Sequence, residues 1–213
     1  MRTILLFRHG PVEAPGGRKR CLGSRTDVPA APEALAAAAA CAPLLQRLGI
    51  RTVCCSPMLR CRQSAQALSG GAPPMIVPGL EELDCGDWDG LGFDEIQARY
   101  PEAFASRGAD PALPPPGGET LEQAARRGLA ALRDLLGRTD GDLAVVAHAG
   151  INRAMLCTLL HMPLSEQRTL PQDYLCVNVL RYDGALLTVS AVGLPPDDSL
   201  LTAMEDADNE KTL

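Results

Sequence analysis

The sequence predicts an α/β protein, a three-layer α/β/α sandwich whose central sheet is mostly parallel and has an antiparallel edge strand. Short apolar segments alternate with helical segments along most of the chain, which indicates a parallel sheet covered by helices on both faces. Near the C-terminus, strand-like segments 176–182 and 185–192 flank Asp183-Gly184 and predict a hairpin. This hairpin supplies the antiparallel edge.

Four short apolar runs predict the parallel strands. The first covers Thr3 to Phe7 and is apolar throughout after Thr3, as expected for a strand that is buried on both faces. The other three are Thr52–Cys55, Met75–Val77 and Leu143–Ala147.

Helical segments separate these strands. Residues 33–48 are rich in Ala and Leu and stop at Gly49, but Pro43 lies inside the segment, so we expect a kink or a break there. A second helix opens at Ser56-Pro57, where proline suits the first turn, and runs to about Leu68. The remaining predicted helices are 93–99, 120–136 and 151–160.

The chain is expected to form one domain over residues 1–204. A Pro-, Gly- and Arg-rich loop covers 11–32, and a Gly-, Asp- and Pro-rich stretch at about 85–118 is interpreted as a lid-like insertion. Residues 205–213 form an acidic tail that we expect to be flexible.

Composition restricts the classes of function. Apolar residues make up 46% and charged residues 22% of the chain, as in soluble globular proteins. The net charge of −6 argues against nucleic-acid binding, so an anionic substrate needs a local cluster of cations. No apolar stretch is long enough to span a bilayer, and the N-terminal apolar run is too short for a signal peptide. We therefore expect no membrane partner and a cytoplasmic location.

The eight cysteines show no metal-ligand spacing. We interpret them as reduced thiols that act as small apolar side chains. Neither a metal nor another cofactor is expected. The oligomeric state stays open, with a homodimer as one alternative.

Three of the predicted strands are followed by polar or charged side chains that are suited to catalysis or anion binding. The first strand runs into Arg8-His9-Gly10, the second is followed by Ser56 and Arg60, and the fourth runs into His148-Ala149-Gly150. The carboxyl ends of parallel strands share one edge of a sheet, where ligands bind in open α/β folds. We therefore expect these groups to converge.

The converging groups predict a site for a phosphate monoester, the substrate being a small phosphorylated metabolite. Arg8 and Arg60 offer forked donors, helix N-termini add backbone N–H groups, and a protonated His148 would add a third positive charge. His9 is the better nucleophile, because an arginine precedes it and Gly10 lets the backbone turn.

The leaving alkoxide needs a proton from a nearby carboxylic acid. Spacing alone leaves several candidates in one acidic segment, Glu81, Glu82, Asp84, Asp87 and Asp89. Trp88 in the same segment either caps the pocket or packs in the core.

The chain resembles the histidine phosphatase superfamily, also called phosphoglycerate mutase-like. R-H-G is residues 8–10, S-P-x-x-R-x-x-Q-[ST]-A is 56–65, L-x-E-x-x-x-G-x-W-x-G is 80–90, G-G-E-[ST] is 117–120, and an apolar run followed by H-x-G is 145–150. Five motifs in the family order are far more specific than R-H-G alone.

The resemblance implies the fold of that superfamily and a role for each matched residue. His9 would accept the phosphoryl group, Glu82 would donate the proton and later act as base, and Arg8, Arg60 and His148 would hold the phosphate. With the loop after the first strand included, the expected substrate-binding residues are Arg8, Gly10, Arg25, Arg60, His148 and Ala149.

Two segments, 21–29 and 84–90, resemble the α-ribazole phosphatases of cobalamin biosynthesis in particular. The first departs from their loop, with Leu22 in place of Tyr and one extra residue before Asp27. The expected activity is hydrolysis of α-ribazole 5′-phosphate. A phosphoglycerate mutase and a non-catalytic phosphate-binding regulatory module stay open as alternatives.

Overall fold

The computed structural model describes residues 1–13, 15–202 and 204. The acidic tail, 205–213, lies outside the described residues. The strands are β1 (Arg2–Arg8), β2 (Thr52–Cys55), β3 (Met75–Ile76), β4 (Leu143–Ala147), β5 (Val177–Tyr182) and β6 (Leu187–Leu194).

One six-stranded sheet joins these strands in the order β3-β2-β4-β1-β5-β6. The pairings β1–β4, β2–β4 and β2–β3 are parallel, whereas β1–β5 and β5–β6 are antiparallel. The predicted parallel sheet with an antiparallel edge is confirmed. Because β1 and β4 are adjacent and parallel, their carboxyl ends lie side by side.

Helices cover both faces of the sheet. Their bounds are α1 (Pro32–Ala40), α2 (Ala42–Arg47), α3 (Leu59–Leu68), α4 (Phe93–Arg99), α5 (Pro101–Ala109), α6 (Leu121–Arg138) and α7 (Ala149–Leu159). Within the described part of the chain, no helix is both long and apolar enough to cross a bilayer.

Strand β1 shows why the sheet needs two layers of helices. Ile4 and Leu6 pack into a core with α6 and α7, whereas Leu5 and Phe7 pack into a second core with α2 and α3. All four side chains are almost fully buried. Consecutive side chains of a strand point to opposite faces, so an uninterrupted apolar run fits only a strand covered on both sides. The three-layer sandwich is confirmed.

Of the kink or break expected near Pro43, the structure shows a break, which falls at Cys41. Helix α1 ends at Ala40 and α2 begins at Ala42, with Pro43 in its first turn. A first-turn residue has no backbone acceptor within its own helix, so the missing N–H of proline costs nothing there.

The helix expected to open at Ser56-Pro57 begins later, at Leu59. The Ser56 N–H still donates to Val146 O at 2.9 Å, so the chain continues along the sheet. Asp27 Oδ1 then accepts from Leu59 N at 2.7 Å and satisfies the first turn from another loop.

Three smaller differences from the sequence prediction have local causes. Helix α7 begins at Ala149 because His148 serves as its N-cap. Strand β6 begins at Leu187 because Asp183 Oδ1 accepts from the amides of Ala185 and Leu186 and widens the turn. Helix α5 was not predicted; it lies in the stretch interpreted as a lid-like insertion, and Pro101 occupies its first turn. The eight cysteines are all free thiols, as expected.

Candidate active site

His9 lies directly after β1, at the carboxyl edge of the sheet. Its N–H donates to Ala147 O at 3.0 Å, which continues the pairing of β1 with β4, and the residue is only 5% exposed. Its ring Nδ1 lies 2.7 Å from Gly10 O. A carbonyl oxygen only accepts, so Nδ1 bears the proton and Nε2 keeps its lone pair.

The environment of His9 keeps the ring neutral. Burial, followed by the positive charge of Arg60, lowers its pKa from 6.5 to about 3. The unprotonated form that a nucleophile requires is therefore the form present near neutral pH.

His148 faces His9 from the end of β4. The ring centroids are 5.1 Å apart, and His148 is fully buried. Its Nδ1 lies 3.2 Å from Arg60 Nε, which can only donate, so Nδ1 is unprotonated and Nε2 bears the hydrogen, 2.9 Å from Ser56 Oγ. Burial and then the neighbouring His9 hold the pKa of His148 well below 6.5. The expected third positive charge is therefore wrong for this structure, and His148 is a neutral donor.

Arg60 is buried, with 1% exposure, on the first turn of α3. Besides His148, its guanidinium donates to Thr26 O at 3.0 Å and Gly23 O at 3.3 Å. All three acceptors are neutral, so they hold the side chain in place and leave its positive charge for an anion.

Arg8 is the last residue of β1 and directly precedes His9. It donates to Gln172 O at 2.5 Å, and its Nε is buried without an acceptor among the described residues. The ring of Tyr174 stacks on the guanidinium, 3.7 Å from Cζ, and lies 5.7 Å from the His9 ring. The guanidinium is thus oriented by a carbonyl and an aromatic face, neither of which neutralises it.

The carboxylate of Glu82 lies at the start of α7, beside His148. It accepts from the amides of Leu83 at 2.9 Å, Gly150 at 3.1 Å and Ile151 at 3.0 Å. These three N–H groups fix the position of its oxygens. Ala149 supplies the remaining free amide of this helix turn, which has no acceptor within the described part of the chain.

The other acidic residues of the segment are engaged elsewhere. Glu81 lies 3.5 Å from Arg127, Asp84 pairs with Arg25, and Asp89 accepts from the amides of Gly23 and Arg25. Asp87 is exposed to solvent. The geometry therefore favours Glu82, the choice that the family resemblance implies.

The G-G-E motif supports the segment that carries Glu82. Glu119 accepts from the Asp84 amide at 2.9 Å and pairs with Arg127 at 2.6 Å. Arg127 in turn donates to the carbonyls of Gly79, Glu81 and Glu82. Sequence comparison identified the motif, but only the structure shows that it positions the acid.

Among the predicted site residues, Arg25 differs from the prediction because its side chain makes its contacts away from Arg8 and Arg60. Its guanidinium makes an ion pair with Asp84 at 2.8 Å and donates to Gly117 O at 3.0 Å. The hydrogen bond and charge of Asp84 raise the pKa of Arg25. Arg25 thus ties its loop to the segment after Glu82, instead of joining Arg8 and Arg60.

Gly10 is required for a different reason than the one expected. Its φ is not positive, and a Cβ there would lie 2.7 Å from the Cβ of Ala34. Its N–H donates to Ser64 Oγ at 3.1 Å. Close packing against α1, and not a tight turn, excludes a side chain at this position.

Sequence reasoning missed Gln172 and Tyr174, and it did not pair Ser56 with His148. Phe7 pairs with Val177 in the antiparallel register, so the chain entering β5 meets the carboxyl end of β1. The polar segment just before the predicted hairpin could have signalled this contact.

The sandwich with two histidines, two arginines and a carboxylate gathered at the carboxyl edge has the layout of an enzyme that handles phosphate. A sequence model of the histidine phosphatase superfamily (branch 1) matches residues 4–194. The chain belongs to this superfamily. It is a phosphatase of the superfamily, and hydrolysis without a metal is consistent with that membership.

Named relatives agree with this assignment. The chain is 27% identical over 174 residues to a glucosyl-3-phosphoglycerate phosphatase of Mycolicibacterium vanbaalenii, covering 77% of this chain and 76% of the relative. It is 32% identical over 170 residues to a 6-phosphofructo-2-kinase/fructose-2,6-bisphosphatase of Caenorhabditis elegans, covering 78% of this chain but only 35% of the relative.

Solved structures show the same fold. YhfR of Bacillus stearothermophilus superposes with a TM-score of 0.81 at 26% identity, covering 91% of this chain and 98% of that chain. The α-ribazole phosphatase of Shigella flexneri gives a TM-score of 0.75 at 20% identity, covering 90% and 96%. This second likeness concerns the fold alone.

Proposed function

We propose that the chain is a phosphomonoesterase that hydrolyses a small phosphorylated metabolite through a phosphohistidine on His9. The observation that carries the proposal is the Nδ1 hydrogen bond to Gly10 O, at 2.7 Å. It leaves the Nε2 lone pair of a neutral imidazole free to act as the nucleophile.

In the first step, Nε2 of His9 attacks phosphorus and the ester P–O bond breaks. The leaving oxygen takes a proton from Glu82. Arg8 and Arg60 stabilise the charge on the phosphoryl oxygens, the Ala149 amide adds a donor, and His148 holds the Arg60 guanidinium through Nδ1.

In the second step, Glu82 takes a proton from water, and the water oxygen attacks phosphorus. The P–N bond breaks, and inorganic phosphate leaves with His9 restored. Glu82 thereby returns to its protonated form, so the cycle closes without a further reagent.

The substrate that we propose is α-ribazole 5′-phosphate. The two segments that resemble α-ribazole phosphatases lie in contact, since Asp89 Oδ1 accepts from Gly23 N at 3.1 Å and Asp89 Oδ2 from Arg25 N at 2.8 Å. They therefore form one structural unit beside Glu82. Glucosyl-3-phosphoglycerate, the substrate in the name of one relative, is the competing candidate.

A hydrolysis panel tests this function. Phosphate release is measured with α-ribazole phosphate, glucosyl-3-phosphoglycerate, 3-phosphoglycerate and an aryl phosphate, all with EDTA present. We expect release from the aryl phosphate and the highest kcat/KM with α-ribazole phosphate. Preference for another ester would overturn the substrate, and faster interconversion of phosphoglycerates than hydrolysis would indicate a mutase.

The nucleophile is tested with His9→Ala, for which we expect a loss of roughly 10³-fold or more. His161→Asn is the matched control, because His161 is an exposed histidine whose φ of 55° asparagine tolerates well. Retained activity in His9→Ala would overturn the proposed route, and a binding-only module would release no phosphate at all.

A further inference from the structure

A cavity lies beside the segment that follows Glu82. It has a volume of about 390 Å³, within the range of sites for small organic molecules. Most of its walls come from the segment 85–118, together with Cys21 of the loop before Arg25 and Arg168 from later in the chain. Its lining includes Cys21, Cys85, Trp88, Phe93, Phe104 and Arg107.

The cavity is adjacent to the catalytic acid along the chain. Cys85 lies three residues after Glu82, so their Cα atoms are at most about 10 Å apart. Leu83 connects the two sites in space. Its side chain lies against Gly150 at the start of α7, and it also packs on the cluster of Cys85, Trp88 and Ile96.

The loop of Cys21 makes a second connection. Gly23, two residues further on, accepts from Arg60 through its carbonyl oxygen, at 3.3 Å. One wall of the cavity is therefore tied to a guanidinium that faces the phosphate site. A substrate with its phosphoryl group at His9 would extend its alcohol half past Glu82 and toward this cavity.

The lining of the cavity suits a flat apolar group. Trp88 is buried, with 5% exposure, and its ring lies 6.2 Å from that of Phe104. Phe93 is 47% exposed and marks the open side. Apart from Arg107 and Arg168, the side chains named here are thiols and aromatic rings, which offer few hydrogen bonds to the hydroxyls of a sugar.

Arg107 adds a cationic face to this apolar lining. It is partly buried, its guanidinium donates to Leu113 O, and burial lowers its pKa. A guanidinium stacks favourably on an aromatic ring. This combination recognises a ring better than an aliphatic chain.

We infer that this cavity is the subsite for the alcohol half of the phosphate ester, and that it selects a planar aromatic ring. The inference rests on the proposed function, which it deepens by assigning the part of the substrate that specificity depends on.

Matched esters test the subsite. The enzyme is assayed with 3-phenylpropyl phosphate and with propyl phosphate, two primary alkyl esters whose leaving groups have similar basicity. We expect kcat/KM to be about 10-fold or more higher for the phenyl ester, because a buried ring contributes binding free energy that propyl lacks. Equal values for the two esters would overturn the inference.

A variant that fills the cavity tests whether the cavity causes the preference for the phenyl ester. Gly108 lines the cavity within α5, and a Cβ there meets no atom within 4 Å, so Gly108→Leu projects into empty space. Gly137→Leu is the matched control, since Gly137 also lies in a helix, α6, with open space around it. Both changes favour the helix, so neither threatens folding.

We expect Gly108→Leu to lower kcat/KM about 10-fold for the phenyl ester and to leave propyl phosphate unchanged, whereas Gly137→Leu changes neither. If the ratio of kcat/KM for the phenyl ester to that for propyl phosphate is unchanged in Gly108→Leu, the cavity is not the subsite. Wild-type enzyme that hydrolyses neither these esters nor an aryl phosphate contradicts the proposed function itself. Hydrolysis of both alkyl esters without preference contradicts only the subsite.

Discussion

Glu82 and Gly150 are in direct contact: Oε2 of the acid lies 3.1 Å from the Gly150 amide, and a Cβ at position 150 would lie 2.6 Å from Oε1. The glycine of the H-x-G motif therefore gives the acid access to the N-terminus of α7. Its φ is not positive, so the requirement is one of space and not of backbone conformation.

Gly150→Ala is expected to displace the carboxylate of Glu82, because the new methyl group would also approach the side chain of Leu83 at 2.7 Å. A shift of about 1 Å in a catalytic group costs on the order of 10²-fold in rate. Steady-state kinetics with an alkyl phosphate measures the loss. Gly137→Ala is the control, and equal kcat values for the two variants would contradict the role assigned to this contact.

Glu82→Gln tests proton donation by a comparison of leaving groups. Glutamine retains the size of the side chain and cannot donate a proton to an alkoxide. We expect kcat/KM to fall roughly 10²- to 10⁴-fold for an alkyl phosphate and much less for p-nitrophenyl phosphate, whose leaving group needs little protonation. If both esters slow by the same factor, Glu82 does not act as the acid.

The sequence was sufficient to predict the positions of those side chains that follow directly from the order of the strands. His148 comes directly after an apolar run and His9 one residue after another, and adjacent parallel strands bring their ends together. The proton donor could not be predicted in this way, because spacing alone left five acidic residues as candidates. Only contacts over long separations, such as Glu82 with Gly150, 68 residues apart, distinguish them.

Side-chain pairing across loops was the least predictable feature. Nothing in the local sequence indicates that Arg25 pairs with Asp84, 59 residues away, or that Asp27 completes the first turn of α3. The prediction that His148 is protonated was wrong for the same reason. It depends on burial and on the acceptor role of Nδ1 toward Arg60, neither of which a sequence shows.

The low pKa of His9 predicts an unusual pH profile. A histidine is an effective nucleophile above its pKa, where it is neutral, and the pKa of about 3 leaves His9 neutral throughout pH 5–7. We expect kcat/KM in this range to show no loss with the midpoint near 6.5 of an ordinary histidine. The substrate phosphate contributes an inflection near 6.

Two substrates separate these sources of pH dependence. The inflection should move with the second pKa of the phosphate when an aryl ester replaces an alkyl ester. An inflection that stays between 6 and 7 for both esters would show that His9 titrates as an ordinary histidine, and would contradict the buried, neutral nucleophile.

Two neighbouring ion pairs near the start of α6 allow the support of Glu82 to be measured. Arg127 and Glu119 lie 2.6 Å apart with side-chain exposures of 28% and 16%, whereas Arg126 and Glu122 lie 2.8 Å apart with exposures of 74% and 72%. Glu119→Gln removes the nearer of the two carboxylates beside the partly buried Arg127, leaving Glu81 at 3.5 Å, and should lower the free energy of unfolding by about 1–3 kcal/mol. Glu122→Gln should change it by less than about 1 kcal/mol.

Catalysis should respond to the same two variants in the same order. Arg127 holds the carbonyls on either side of the acid, so Glu119→Gln loosens the segment that carries Glu82 and should slow alkyl esters more than aryl esters. Glu122→Gln should leave both rates unchanged. Denaturant unfolding and the two assays measure these effects, and a purely structural role for Glu119 would appear as lost stability with an unaltered ratio of the two rates.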